Sequence, residues 1–406
     1  MDASSPGLTQ RFGDTTERIR PPILANERPL PDIEAYVDSV MSSLRIAVIF
    51  GGDKSAPDAV VNPMPNPRSW KSYEPVATNI ADSLRRLGFR HVQTMPENMH
   101  LGDRLRQEGI QFAWINSGGV QGYNPMSHAP GLLELLGIPY VGHDPLNAST
   151  LDNKHLFKRS LTAFGIPTAP FITWHMTRGP FRPKINSRFI RCFRNHWGAF
   201  IVKPVCGRAS LHVHVVDDER GLPDAVADVF RATENHVLIE AYLPGAEYCV
   251  AVGEPYVARN RRIFGRHDPF IFSALQRLLG ADERIATSMD VRPISSNTVR
   301  ALTASADDAV RIHLHELARS TYLDFNLEGL MRLDVRADAA GTMCILEANP
   351  KPDLTRPSGG VTSLVCAGLD SEGMDYDDLI LTMIAGRLAF LQQHRPFALP
   401  RTQATG

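Results

Sequence analysis

The chain has 406 residues, is 43% hydrophobic and 21% charged, and carries a formal net charge of −1. This composition is ordinary for a soluble globular protein, and the length favours two or three packed domains. The five cysteines are scattered and form no C-x-x-C pair, which argues against a disulfide framework or a zinc site and favours a reducing, cytoplasmic location. No apolar run approaches the roughly 20 residues of a membrane span, so we expect no membrane partner.

Charge is distributed unevenly along the chain. Residues 153–216 contain eleven Lys or Arg and no Asp or Glu, so the rest of the chain is acidic. A basic segment in an acidic protein indicates an anion held locally, and both a nucleic acid and a polyphosphate nucleotide fit that description. For Arg188, Arg191 and Arg194, a basic helix face exposed to solvent is an equally good interpretation.

In chain order, residues 1–43 are expected to form a mobile N-terminal tail, because their first part is rich in Pro, Ser, Thr and Arg. Residues 44–50 and 112–115 are short apolar runs typical of buried parallel strands, and 73–88 has helical spacing. This alternation predicts an open α/β domain over residues 44–150.

The second half of the chain has a different pattern of predicted secondary structure. A helix over 152–164 is followed by short, turn-punctuated strands, which predicts antiparallel sheets with helices in two α+β subdomains, 151–238 and 239–395. The arginine-rich stretch 259–293 is poorly periodic and is expected to be a long loop or lid. The predicted strands are 200–203, 211–216, 237–240 and 248–252.

A predicted hairpin over 330–337 and 344–349 is the most informative feature. Polar and apolar residues alternate in both strands, which places Arg332 with Asp334 and Glu347 with Asn349 on one face. If residues 339–342 make the turn, Asp334 lies opposite Glu347 and Arg332 opposite Asn349.

Two opposed carboxylates repel each other unless a cation lies between them. Carboxylate and amide oxygens are ligands that Mg²⁺ accepts beside phosphate oxygens, so Asp334, Glu347 and Asn349 are the candidate metal ligands. The alternative is a solvated polar face on which Arg332 neutralises the two acids.

Three further features suit a nucleotide. Lys203 ends an apolar strand beside a small-residue turn, and Lys154 on the preceding helix could reach the same anion. The stretch 237–247, a strand that passes into a turn, could offer a backbone edge to adenine, while Glu247 could accept hydrogen bonds from ribose hydroxyls.

In their order and spacing, these features resemble D-alanine–D-alanine ligase and its relatives in the ATP-grasp superfamily. The resemblance covers about residues 44–391 and implies a three-domain ATP-grasp architecture, in which an N-terminal open α/β domain precedes two α+β domains that clamp ATP. The matching runs are 132–142, Lys154-x3-Lys158-x6-Gly165-Ile-Pro, Ile201-Val-Lys-Pro, 238–243, Glu247, Arg332-Leu-Asp334 and Glu347-Ala-Asn349-x-x-Pro352.

The resemblance implies a ligase that activates a carboxylate as an acyl-phosphate and joins it to an amine. The expected partners are small-molecule carboxylate and amine substrates, with no nucleic acid, and a homodimer is possible. The expected cofactors are ATP and Mg²⁺, with two ions bound and Mn²⁺ as a substitute. The resemblance also implies a role for each candidate residue. Lys154 and Lys203 would hold the phosphates, Glu240 with the backbone of Ala241 and Leu243 would bind adenine, and Glu247 would bind ribose. Asp334, Glu347 and Asn349 would bind the metal, and Arg332 would stabilise the oxyanion.

Departures from the family pattern fall on the amino-acid side of the site. Where the family has an early acidic residue, this chain has a longer, proline-rich loop over 53–70. Where the family has a His-Gly loop, this chain has Asn116-Ser-Gly-Gly. The lid has no lysine, so we expect an arginine to replace it, with Arg262, Arg266 and Arg277 as candidates. The substrate-carboxylate serine aligns with Ser363 by context and with Ser358 by counting.

These departures disfavour D-alanine as the substrate. The main interpretation is an amide or peptide ligase acting on amino-acid-type substrates, with a role in specialised metabolism as one option. The alternatives are D-alanine–D-alanine ligase itself and an ATP-binding regulatory protein that has lost catalysis.

Overall fold

A computed structural model describes residues 27–59, 72–121, 124–207, 210–280, 282–286 and 292–399. Within the predicted tail, residues 1–26 lie outside this description. The rest of it is not a tail, because a two-residue strand β1 (Arg28–Pro29) leads into helix α1 (Pro31–Met41), which buries Ile33, Val37 and Val40. Those three residues recur at helical spacing, and this apolar stripe holds the segment against the main core.

The first large sheet has four parallel strands in the order β3-β2-β4-β5. The two strands and the helix expected from the apolar runs are confirmed, whereas β3 was missed because its sequence, HVQTMP, has no continuous apolar run. The elements are β2 (Arg45–Phe50), α2 (Glu74–Leu87), β3 (His91–Pro96), α3 (Leu101–Gln107), β4 (Phe112–Asn116), α4 (His128–Leu136), β5 (Tyr140–Val141) and α5 (Pro145–Asp152).

The second sheet is antiparallel, in the order β6-β9-β7-β8, and α7 and α8 pack on it through an aromatic-rich core. The helix expected over 152–164 begins at Lys154, because the Asn153 side chain caps it by accepting from the amide of Leu156. The elements are α6 (Lys154–Ala163), β6 (Phe171–Trp174), α7 (Ser187–Phe193), β7 (Phe200–Pro204), β8 (His214–Val216), α8 (Leu222–Thr233) and β9 (Val237–Ala241).

The third sheet has five strands in the order β14-β13-β10-β15-β16, and β11 and β12 join β1 in a small separate sheet. The long loop expected over 259–293 is therefore wrong over its first half, where β12 and most of the buried strand β13 lie. The elements are β10 (Glu247–Gly253), β11 (Tyr256–Arg259), β12 (Arg262–Gly265), β13 (Phe270–Arg277), β14 (Val299–Ala301), α9 (Asp308–Asp324), β15 (Met331–Ala337), β16 (Met343–Asn349) and α10 (Tyr376–His394).

The C-terminal helix α10 ties the first sheet to the rest of the molecule. Its apolar residues share one core with β2, α1 and α2, and its Asp377 accepts hydrogen bonds from Ser83 and Arg86. In the part of the chain that the structure describes, no helix is both long and apolar enough to cross a membrane.

His143 lies at the junction of the first and third sheets and makes stability depend on pH. Its Nε2 is 3.1 Å from the carbonyl oxygen of Leu330, and burial lowers its pKa to about 4. The unfolded chain binds a proton below about pH 6.5, so this contribution to stability is complete above that pH and is lost as the pH falls towards 4.

We expect His143→Gln to remove this pH dependence, since an amide can donate the same hydrogen bond but does not titrate. Denaturant titrations at pH 7.5 and 4.5 should show a drop in unfolding free energy that is larger for the wild type than for the variant. The difference should approach about 3 kcal/mol at the acid end. An equal loss in both proteins would contradict the assignment.

Candidate active site

A cleft lies between the second sheet and the third. Strands β7 and β9 supply one wall, and β10, β13, β15 and β16 supply the other. The cleft therefore collects residues that are more than 190 positions apart in the chain, from the basic segment and from the hairpin. The residues assigned from the sequence that line it are Lys154, Lys203, Glu240, Ala241, Leu243, Glu247, Asp334 and Glu347.

The hairpin has the predicted register. Asp334 pairs with Glu347, and Arg332 pairs with Asn349. A bulge that simple alternation did not anticipate makes Leu346 an extra residue, because Val335 pairs with Ile345. As a result Ile345 is buried in the core below the sheet, while Leu346 joins Glu347 in lining the cleft.

Asp334 is held by two neighbours on the sheet face. Arg332 donates to both of its carboxylate oxygens, at 2.8 and 2.9 Å, and the thiol of Cys249 on β10 lies 3.3 Å from Oδ1. Burial would lower the pKa of Arg332, but Asp334, Cys249 and Glu347 together outweigh it and raise that pKa, so the guanidinium stays charged. In this geometry Arg332 neutralises Asp334, but both side chains are buried, unlike the solvated polar face of the alternative interpretation.

Glu347 faces the basic segment across the cleft. Lys154 Nζ lies 3.3 Å from Glu347 Oε2 and donates to the carbonyl oxygen of Gly207 at 3.1 Å. Burial would raise the pKa of Glu347, but Lys154, Lys203 and Arg332 together lower it to about 2. Glu347 is therefore an anion at neutral pH.

A buried triad joins β7, β9 and α6. Glu240 lies between Lys203 Nζ, at 2.5 Å, and Lys158 Nζ, at 3.1 Å. Burial opposes the charged form of Glu240, but the two lysines lower its pKa, while Glu240 and Glu347 raise the pKa of Lys203 against the effect of burial. Lys203 is thus charged and fixed at the cleft wall.

The far end of the cleft is built around Glu247 and Tyr242. Arg336 Nη1 lies 3.3 Å from Glu247 Oε2, and Arg277 Nε lies 3.7 Å from Oε1. Arg336 also donates to the Tyr242 hydroxyl at 3.1 Å, and its guanidinium lies 4.9 Å from the centre of that ring. An aromatic ring and a carboxylate fixed by arginines therefore flank the end of β9.

The oxygen ligands present in the cleft fit a hard cation that takes its remaining ligands from phosphate and water. Among the described residues, no three His, Cys, Asp or Glu side chains come together as a metal site. Asp334 and Glu347 supply two carboxylates, and the Asn349 side-chain oxygen lies close enough to the turn to accept from the amide of Lys351 at 3.1 Å. Such a partial set suits Mg²⁺ bound together with phosphate oxygens and water.

Several predicted residues lie elsewhere. Ser363 is buried, and its Oγ accepts from the amide of Cys366 at the start of the 3₁₀ turn Cys366–Glu372, while Ser358 is exposed. Arg262 pairs with Glu34 and Arg266 with Glu27, both beside the small sheet, so these two cannot serve as lid arginines of this cleft. Residues 60–71 of the altered first-substrate loop lie outside the described residues.

Sequence reasoning overlooked Arg336, Tyr242 and Lys158. Arg336 follows Arg332 and Asp334 at the same two-residue spacing, so alternation could have placed it on the same face. Tyr242 stands between the two residues whose backbone was assigned to adenine. Lys158 belongs to one of the matching runs but received no role, because its partner Glu240 lies on β9, far from α6 in the chain.

Comparison with known proteins agrees with this geometry. A model of the family described as D-ala D-ala ligase C-terminus matches residues 161–385. A D-alanine–D-alanine ligase from Synechococcus sp. (strain JA-3-3Ab) is 25% identical over 284 residues, which cover 70% of this chain and 78% of that protein.

Solved structures share the fold at lower sequence identity. The D-alanine–D-alanine ligase from Bacillus anthracis complexed with ATP has a TM-score of 0.60 at 20% identity and covers 86% of this chain and 99% of its own. VanG D-Ala:D-Ser ligase from Enterococcus faecalis has a TM-score of 0.59 at 16% identity, with 85% and 99% covered. Since the family model matches more than half of the chain, the protein belongs to the D-Ala–D-Ala ligase C-terminal family and is an ATP-grasp, ADP-forming ligase that makes carbon–nitrogen bonds.

Proposed function

We propose that the protein joins the carboxylate of one amino-acid-type substrate to the amine of another through an acyl-phosphate, with magnesium–ATP bound in the cleft between the second and third sheets. The observation that carries this proposal is the opposition of Asp334 and Glu347 in one cleft with Lys154 and Lys203. That combination supplies oxygen ligands and fixed cations within a single site, as phosphoryl transfer requires.

Charge balance favours a metal-bound nucleotide over a free one. The described cleft lining carries four cations, Lys154, Lys203, Arg277 and Arg336, and four carboxylates, Glu240, Glu247, Asp334 and Glu347. A triphosphate carrying two divalent cations is close to neutral and does not disturb this balance, whereas a bare triphosphate would face the carboxylates. We therefore place two Mg²⁺ among Asp334, Glu347 and Asn349, where they would neutralise phosphate charge.

Each wall of the cleft has its own task. The backbone of Ala241 and Leu243, after β9, would pair with adenine, and Glu247, oriented by Arg336, would accept from the ribose hydroxyls. Lys154 and Lys203 would hold the phosphates while the substrate carboxylate attacks the terminal phosphorus and ADP leaves. The amine would then attack the acyl carbon, phosphate would leave, and Arg332 would stabilise the oxyanion between the two events.

The identity of the amino acids is left open by the altered first-substrate region. A relative with the same fold carries the name D-Ala:D-Ser ligase, so the architecture accommodates more than one amino acid. The test is a screen of ADP release over pairs of carboxylates and amines that includes D-alanine alone. ADP release that requires both substrates supports the proposal, while tight magnesium–ATP binding without release under any pair would favour a regulatory protein.

Lys203 gives the first test of the nucleotide site. We expect Lys203→Ala to weaken ATP binding about tenfold or more, since it removes a fixed charge at the cleft wall. The matched control is Lys158→Met, which removes the other lysine on Glu240 but does not line the cleft. Calorimetric titration with a non-hydrolysable ATP analogue should give a lower affinity for Lys203→Ala than for Lys158→Met. Equal affinities of the two variants would argue against a phosphate role for Lys203.

Among the arginines proposed for the lid, only Arg277 lines the cleft. We expect Arg277→Ala to raise the ATP concentration needed for half-maximal ADP release, because the change leaves Glu247 without one of its two guanidinium partners. Arg262→Ala is the control, since that residue pairs with Glu34 at the protein surface. A similar effect of both substitutions would show that the loss of charge matters and its position does not.

A further inference from the structure

The connection between β6 and β7 carries a cluster of cations that the ligase site does not use. Residues 175–199 contain no acid, and six of their basic side chains are exposed. In the described part of the chain, none of the six forms an ion pair with an Asp or Glu. They are Arg178, Arg182, Lys184, Arg188, Arg191 and Arg194.

Large apolar side chains stand among these cations. Ile185 is 73% exposed, Ile190 is 51% exposed and Trp197 is 93% exposed. We call these three residues and the six cations the α7 surface. None of its nine residues is among the described residues that line the cleft, so an occupant would not compete with ATP.

The exposure is not the result of a loosely packed segment. Phe189 and Phe193, one turn apart on α7, are buried, with ring centroids 4.9 Å apart, and both pack against Phe200 of β7. Helical spacing then turns Arg191 towards solvent on the opposite side, and Ile190 and Arg194 are exposed beside the buried face. Phenylalanine side chains already fill the core under α7, so the exposed apolar residues are not part of that core.

We propose that the α7 surface docks this enzyme peripherally on a bilayer that contains anionic lipids. Unpaired arginines would bind lipid phosphates, and Trp197 with the two isoleucines would enter the headgroup region, as in interfacial amphipathic segments. Nucleic acid shares the phosphate chemistry, but isoleucine has no face on which a base can stack, which favours lipid. The expectation of no membrane partner came from the lack of a spanning segment and does not bear on peripheral binding.

The experiment measures co-sedimentation of the full chain with sucrose-loaded vesicles. Vesicles of phosphatidylcholine with about 30% phosphatidylglycerol should bind the protein in moderate salt, and vesicles of phosphatidylcholine alone should not. Arg188→Ala/Arg191→Ala should weaken binding about 25-fold, because each charge near an anionic surface contributes about a fivefold factor. Arg178→Ala/Arg194→Ala provides a second pair for the same measurement.

The matched control is Arg106→Ala/Arg220→Ala, which removes the same charge from exposed arginines that have their own acids, Asp103 and Asp218. This control should bind vesicles like the wild type, and all variants should keep the wild-type melting temperature and ATP affinity. A blue shift of tryptophan emission on vesicles should disappear in Trp197→Phe. Binding to a single-stranded oligonucleotide but not to vesicles, binding to neither, or equal binding by the charge variants would overturn the proposal.

Discussion

Replacement of Glu347 by glutamine is expected to lower turnover by about three orders of magnitude at ordinary magnesium concentrations, which corresponds to about 4 kcal/mol of transition-state stabilisation. Glu347 is an anion that opposes Asp334 in register and faces Lys154. Glutamine keeps an oxygen that can accept from Lys154 but lacks the charge that a hard cation requires. We therefore expect the fold to survive and the loss to be partly reversed by high magnesium.

The measurements are ADP release as a function of magnesium concentration and thermal unfolding of the same sample. Glu34→Gln serves as the matched control, since it neutralises a carboxylate that pairs with Arg262 far from the cleft. If Glu347→Gln kept both the turnover and the magnesium dependence of the wild type, Glu347 would not be a metal ligand.

Arg332→Met is expected to lower turnover by about a hundred- to a thousandfold, or roughly 3–4 kcal/mol, while ATP affinity changes little. Negative charge develops on the former carbonyl oxygen only as the amine attacks, so an arginine aimed there stabilises the transition state more than the bound substrates. Arg332 does not line the cleft in the described structure, which is why affinity for ATP should be preserved if ATP binds there as proposed.

The bidentate contact with Asp334 adds a second consequence. Loss of the guanidinium leaves the buried Asp334 carboxylate with the Cys249 thiol as its remaining hydrogen-bond donor among the described residues, so the melting temperature should fall without magnesium and recover when the ion is added. Arg332→Lys should restore part of the stability but little turnover, because an ammonium cannot reproduce the guanidinium fork. Arg300→Met, which breaks an exposed pair with Asp307 on the same sheet, is the control.

An unstable Arg332→Met variant with normal turnover per folded molecule would make Arg332 a purely structural partner of Asp334. Loss of ATP binding instead would make it a phosphate ligand. Both outcomes would contradict the catalytic assignment, and the Lys variant distinguishes them because it retains the charge.

The hairpin could be predicted from the sequence because the alternation of polar and apolar residues in a strand is a local pattern. A two-residue period places Arg332 and Asp334 on one face whatever the rest of the chain does, and the register with Glu347 and Asn349 followed from a short turn. The acid-free segment was equally visible, since a charge count needs no fold. The family resemblance rested on the same short-range patterns, taken in order.

Tertiary structure decided which residues meet. Glu240 reads as a strand residue in the sequence, yet it lies between Lys158 and Lys203 because α6, β7 and β9 pack together. Arg262 and Arg277 belong to the same arginine-rich stretch, but β12 carries the first to the surface and β13 carries the second into the cleft. Ion pairs and cleft walls depend on elements distant in the chain, and local periodicity contains no information about that distance.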